Sequence, residues 1–168
     1  DALRVEHLPL LGPPDFFLAL KGDRLQVFLP GEGAYWTGRA TRGHLAPYLP
    51  VGLSGAELTA LLRGTCPRED GLVPREGGSD PEDRQLDLSD AHGKRLSLWI
   101  DPRSRTLRRC TRFDARGAEV YTIRFDEHRS LAGRPWPMRI RFTAAAPPAV
   151  AMTIRYTAPE LSPEADGD

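Results

Sequence analysis

The sequence contains no asparagine, and lysine supplies only two of its 23 basic residues; the other 21 are arginine. Without asparagine there is no Asn-Gly pair, the strongest short hairpin signal, so tight turns must rest on weaker pairs such as Gly22-Asp23. The arginines are scattered along the whole chain, which is a compositional bias rather than a phosphate- or carboxylate-binding cluster. Net charge is missing too. Twenty-three basic and 23 acidic residues cancel, which gives no electrostatic case for nucleic acid or an acidic membrane surface. No apolar run approaches the ~20 residues of a membrane-spanning helix, and no signal peptide opens the chain. There are two cysteines, Cys66 and Cys110, with no CxxC and no zinc spacing. In an oxidising compartment, pairing of the two would stabilise the fold by roughly 3–4 kcal/mol on the chain-entropy account.

What remains is a chain of 168 residues with ordinary globular composition, 40% hydrophobic and 27% charged, enough for one domain with a real core. One strong helix stands out, over about residues 55–63. Ser54 and Glu57 have capping-box spacing, and Leu53 and Leu58 sit where a hydrophobic staple places them. Leu58, Leu61 and Leu62 form one apolar stripe, and Gly64 and Pro67 end the helix. A further helical turn is expected within 44–49, before Pro50.

Nearly everything else alternates with period two. Ala2 to Leu8 reads as strand. Phe16–Lys21 and Arg24–Pro30 form a hairpin around Gly22-Asp23, and Ala34–Gly38 is a short aromatic strand. Residues 65–83 read as a long polar loop with a brief strand around Leu72-Val73. From Gln85 onward the turns Asp90–Gly93, Asp101–Ser104, Asp114–Gly117, Leu131–Arg134 and Pro147-Pro148 separate alternating segments. The polar segment Thr106–Phe113 reads as a strand that is either edge-like or outward-facing on both sides. The pattern predicts nine or ten strands in consecutive hairpins: a mainly β protein with a strongly curved antiparallel sheet, or unclosed β-barrel, and a short helical lid. Residues 1–158 form a single domain in this reading, and the acidic tail 159–168 ends the ordered chain. The chain opens already in strand register, so a preceding segment, with any targeting signal, is expected before residue 1.

No catalytic constellation is legible. His7, His44, His92 and His128 have no helically spaced partner, so no local metal site is supported. Ser54 lies in a glycine-flanked stretch but is better explained as a helix cap than as a nucleophile. Cys66 has no general base placed near it. Glu69-Asp70 and Asp80–Asp83 are solvated loop charges, and Gly31-Glu32-Gly33 is a turn rather than a phosphate loop. No enzyme, cofactor or metal is expected. The loop Pro9-Leu10-Leu11-Gly12-Pro13-Pro14 is unusual, because a solvated turn gains nothing from adjacent leucines. Either one leucine tucks onto the core, or the loop presents an apolar tip.

The stretch Pro50-Val51-Gly52-Leu53-Ser54-Gly55-Ala56-Glu57-Leu58-Thr59-Ala60-Leu61-Leu62-Arg63-Gly64-Thr65-Cys66-Pro67 resembles the proline-led helix of the LolB-type outer-membrane lipoproteins. Pro9-Leu10-Leu11-Gly12 is similar to that family's protruding proline-leucine-glycine loop. The Asp101-Pro102 turn, the Gly117–Phe125 strand and Pro137-x-x-Ile140 are similar to the wider LolA/LolB-like fold. The resemblance implies an unclosed antiparallel barrel with a helical lid over a hydrophobic cavity. It implies a non-enzymatic protein that binds acyl chains of lipoproteins or phospholipid and takes part in lipoprotein localisation. The cavity would be lined by Leu18, Leu20, Val27, Leu29, Leu98, Ile100, Ile123, Phe125, Ile140 and Ile154 from the sheet, and by Leu58, Leu61 and Leu62 from the lid. Leu11, with Leu10 as second choice, would be the membrane-inserting tip. The implied location is the periplasmic face of the outer membrane, lipid-anchored in the full-length protein. The implied partners are that membrane surface and a periplasmic carrier protein. Two departures stand out: the family's N-terminal helix and first strands are absent, which leaves an exposed sheet edge open to dimerisation, and the polar loop 65–84 is long. The alternative is an envelope interaction or scaffold protein with a filled core and no lipid ligand.

Overall fold

The computed structural model describes residues 2–9, 11–49, 51–68, 71–79, 83–145 and 149–160. The chain divides into two compact units, residues 1–68 and 69–168.

In the first unit β1 (Ala2–His7), β2 (Phe16–Lys21), β3 (Arg24–Leu29) and β4 (Ala34–Arg39) form a four-stranded antiparallel sheet in chain order. The β2–β3 hairpin follows from Gly22. Its φ of +61° with Asp23 next is the glycine-first two-residue turn, which matches the strand twist without an asparagine. The alternation in β2 and β3 puts Leu18, Leu20, Leu25 and Val27 on one buried face. Two helices follow, α1 (Arg42–Leu45) and α2 (Gly55–Leu62). The expected turn after residue 44 begins two residues earlier, because the Thr41 hydroxyl accepts the His44 N–H and caps α1.

The α2 ends match their sequence signals. The Ser54 N–H donates to Glu57 Oε2 at 2.7 Å while the Glu57 N–H donates to Ser54 Oγ at 3.4 Å. Leu53 and Leu58 are both buried. At the far end Gly64 has φ +68°, its N–H reaches the Leu61 carbonyl, and the Thr65 N–H reaches Ala60. That pair of bonds is the Schellman ending that only a residue tolerant of the left-handed region allows cheaply. α2 meets its own sheet at Gly55, whose N–H donates to the Ala40 carbonyl at 2.8 Å.

The second unit is a seven-stranded antiparallel meander: β5 (Val73–Ser79), β6 (Arg84–Ser89), β7 (Arg95–Ile100), β8 (Leu107–Phe113), β9 (Glu119–Leu131), β10 (Arg134–Ala144) and β11 (Val150–Arg155). Leu98, Cys110, Ile123, Phe142 and Met152 follow one another across five strands in direct register, and Phe125, Ile140 and Ile154 form the neighbouring row. These rows are the core face. Tyr121, Ile123, Phe125, Ile140 and Phe142 are buried, as the alternation predicts.

The protein is thus mainly β and antiparallel, and among the described residues neither sheet closes into a barrel. Eleven strands are described rather than nine or ten. The added one is β5, longer than the brief strand expected within the polar loop. Its Pro74 is tolerable because β5 pairs on one side only, with β6. Both expectations for Thr106–Phe113 are wrong: β8 is no edge, since it lies between β7 and β9, and it does not face outward on both sides, since the successive residues Cys110 and Thr111 are both buried. Its arginines are accommodated by stacking, Arg109 over Trp99 at 3.6 Å and Arg112 near Tyr121 at 6.0 Å. Both cysteines are disulfide-bonded. The Pro147-Pro148 turn, Glu69-Asp70, the segment 80–82 and tail residues 161–168 lie outside the described residues. No described helix is long and apolar enough to cross a membrane.

Candidate functional site

The first unit gathers its apolar exposure at one end of its sheet. β1 runs into the loop 8–15, which carries two prolines after Pro9 and a Gly12 at φ +112°. The loop is clasped at its base. The Asp15 N–H donates to the His7 carbonyl at 3.1 Å, and His7 Nδ1 lies 2.8 Å from Asp15 Oδ2. The His7 ring stacks on Phe16 at 5.4 Å, and Phe16 in turn meets Tyr48. Held this way, Leu11 is 91% exposed and Leu8 68% exposed. Leu11 is therefore not the leucine that tucks onto the core, and Leu10 lies outside the described residues.

Antiparallel register brings an aromatic row to the same end. Phe17 opposes Phe28 and Phe28 opposes Tyr35, with the first pair's rings 6.2 Å apart. Phe28, Tyr35 and Trp36 are exposed large side chains, and Trp36 lies on the opposite face of β4 in register with buried Val27. Arg4 covers part of the Phe17 ring at 5.6 Å. Exposed aromatics and leucines gathered at one end differ from the scattered single exposures of an ordinary surface. Sequence reading placed Tyr35 and Trp36 in a strand but missed this juxtaposition, because register across three strands is not carried by alternation within one.

The side chains expected to line a cavity fall into two sets. In the first unit Leu18, Leu20, Val27, Leu58 and Leu61 are buried, and Leu29 and Leu62 half-buried. Leu18 opposes Val27, and Leu20 Cδ1 reaches the start of α2 beside Gly55. In the second unit Ile123, Phe125 and Ile140 are buried, and Leu98, Ile100 and Ile154 half-buried. The strand residues of each set therefore occupy the apolar face of their own sheet, and Leu58, Leu61 and Leu62 belong to α2 of the first unit.

Electrostatics in the first unit centre on Glu57, which is 7% exposed. Burial pushes its carboxyl upward. Hydrogen bonds from Arg42, from the Ser54 N–H and from the Ser54 hydroxyl, with the Arg42 charge, outweigh this and hold it below the usual carboxylate range. Arg42 grips it through Nε at 3.1 Å and Nη2 at 2.6 Å, so α1 and α2 share one carboxylate.

The second unit has a polar cleft of about 450 Å³ where β8 begins and β9 runs on beside β10. Arg108, Arg109, Arg124, Asp126 and His128 line it. Asp101, in the β7–β8 turn, is pulled down to about 2 by the N–H groups of Ser104 and Arg103 and by Arg108. Burial lowers His128, with the Asp126 charge opposing. Among the described residues no group of three His, Cys, Asp or Glu side chains could hold a metal ion.

No protein-family model and no curated protein matches the sequence. Solved structures do match. A LolA superfamily protein from Nitrosomonas europaea superposes with a TM-score of 0.57 at 17% identity, over 88% of this chain and 66% of that one. The chain has a LolA-like fold. A DUF1329 family protein from Desulfovibrio piger superposes with a TM-score of 0.55 at 16% identity, over 82% of this chain and 60% of that one. The LolA-like chain therefore spans less than two thirds of the length of either protein, and identities this low carry fold and no more.

Proposed function

We propose that this LolA-like chain is a non-enzymatic lipid-handling module that binds acyl chains of lipoproteins or phospholipid. In this reading it works at the periplasmic face of an outer membrane, with a periplasmic carrier protein as its source of cargo. The observation that carries the reading is Leu11, 91% exposed at the tip of a loop whose base is clasped by His7 and Asp15. Burying a leucine in lipid yields about 2 kcal/mol. Tyr35 and Trp36, exposed at the same end of the sheet, are the residue types that settle at a membrane–water interface. The buried leucines of β2, β3 and α2, and Leu98, Ile100, Ile123, Phe125, Ile140 and Ile154 of the second unit, supply the apolar chemistry that an acyl chain needs. Each methylene withdrawn from water adds ~0.8 kcal/mol without any polar specificity.

The test uses vesicles of phosphatidylethanolamine and phosphatidylglycerol with wild type and Leu11→Glu. Wild type floats with the vesicles, and Leu11→Glu loses at least about tenfold in partitioning while its thermal midpoint stays put. Equal flotation of the two proteins removes Leu11 from the mechanism. Native mass spectrometry of the purified protein, with a fluorescent fatty acid as probe, tests the cargo. A clean apo mass and no probe binding would remove the acyl-chain site. A second reading is favoured by β4, which among the described residues pairs only with β3 and is exposed along most of its length. An open edge of this kind accepts a strand from a second copy, giving a dimeric interaction or scaffold module. Dimerisation abolished by Thr37→Pro would support it.

A further inference from the structure

Scattered in sequence, the arginines of the second unit are gathered by register. Arg109 of β8 lies directly opposite Arg124 of β9, and Arg124 directly opposite Arg141 of β10. Like charges placed directly across strands destabilise a sheet. Two features show how the row is arranged. Its outer members are held: Arg109 Cζ lies over the Trp99 ring, 3.6 Å from its centroid, and Arg141 Nε donates to Asp126 at 2.9 Å. The acids around the cleft are engaged with arginines outside the centre of the row. Asp126 takes Arg139 and Arg141, Glu127 takes Arg139 at 2.7 Å, and Asp83 takes Arg108. Arg124, exposed in the middle, has no acidic partner among the described residues. It opens onto the 450 Å³ cleft together with Arg109.

We infer that this cleft is an anion site that takes a phosphate group, with Arg124 as its central ligand and Arg109 as its oriented flank. A tetrahedral oxyanion presents several acceptor oxygens, so two planar guanidinium groups can each donate to it and their mutual repulsion is cancelled. The site stands apart from the lipid reading above, because its ligands Arg124 and Arg109 belong neither to the loop 8–15 nor to the apolar faces. Its phosphate could belong to a phospholipid headgroup or to a small soluble phosphate.

The test is a titration of the whole protein with inorganic phosphate, followed by calorimetry and by the arginine Nε resonances. Wild type binds in the millimolar range, phosphate raises its thermal midpoint, and added chloride weakens binding. Arg124→Gln weakens binding about tenfold and abolishes the midpoint shift, while in phosphate-free buffer its own midpoint is no lower than wild type. Arg116→Gln, in the exposed turn between β8 and β9, changes neither. Binding to phosphatidylglycerol vesicles that free phosphate displaces identifies a headgroup. Phosphate binding without vesicle binding identifies a soluble ligand. Absence of any phosphate-induced change in wild type, or equal binding by Arg124→Gln, overturns the proposal. Leu11→Glu should titrate like wild type, so loss of the lipid reading leaves this one standing.

Discussion

Adding one methyl group at Gly55 is a sharp test of how α2 is seated. A Cβ built there would lie 2.5 Å from the Ala40 Cβ, 3.4 Å from the Ala40 carbonyl oxygen and 3.5 Å from Leu20 Cδ1. Carbon atoms pack at about 3.5–4.0 Å, so the helix start or the residue after β4 must retreat by about 1 Å. Neither is free to do so. The Gly55 N–H is bonded to the Ala40 carbonyl at 2.8 Å, and the Ala40 N–H to the Asp23 carbonyl at 2.6 Å. Overpacking of this kind costs about 1–3 kcal/mol. Alanine's better helix propensity returns up to about 1 kcal/mol, less at a first-turn position. Gly55→Ala should therefore destabilise by about 1–2 kcal/mol, which for a chain of this size lowers the thermal midpoint by about 2–8 °C. Urea and thermal unfolding followed by circular dichroism measure it. The double variant Ala40→Gly with Gly55→Ala removes the second methyl, and the two changes should couple by about 1 kcal/mol or more in the stabilising direction. A Gly55→Ala protein as stable as wild type, or more so, would refute the close approach.

Acid should act through Glu57. Its carboxyl is depressed in the folded protein, so the unfolded chain takes up protons first. The stability it contributes is full above its unfolded value of 4.5 and is lost as pH falls through the lower folded value. Glu57→Gln should flatten the pH dependence of the unfolding midpoint in that window, and an unchanged slope would show that the Arg42 grip is not felt. The β9–β10 turn offers a gain. Ala132 and Gly133 have φ of +49° and +77°, the geometry that favours Asn-Gly, and alanine is poorly suited to it. Ala132→Asn should stabilise by about 1 kcal/mol, seen as a higher urea midpoint with an unchanged slope.

How much of this was legible depended on whether a signal was local. The α2 boundaries, its capping box and its glycine ending all lie within a dozen residues, and each was readable. So was the inward set of β9, because Tyr121, Ile123 and Phe125 alternate with Thr122 and Arg124. β5 was only partly visible, since Pro74 argues against a strand unless the strand is known to be an edge. β8 was misplaced for the opposite reason. Arg108, Arg109 and Arg112 look like an edge until Trp99 and Tyr121, from neighbouring strands, supply ring faces for them. The arginine row and the aromatic row share this cause. Arg109, Arg124 and Arg141, or Phe17, Phe28 and Tyr35, become neighbours only once the register of three strands is fixed. The resemblance of the helix and the Pro-Leu-Leu-Gly loop pointed to the LolA-like fold, and the superposition bears out that fold.

On the membrane-contact reading proposed above, the clasp at the base of the loop 8–15 has a kinetic meaning. A flexible loop that inserts a leucine must be ordered as it enters, which subtracts from the small gain of burying one side chain. In that reading the His7–Asp15 clasp and Pro9, Pro13 and Pro14 restrict the backbone beforehand, so most of the ~2 kcal/mol would reach the encounter. That lengthens a contact by roughly thirtyfold and no more. A single preorganised leucine is suited to touching a bilayer and leaving it again, over and over, rather than to staying.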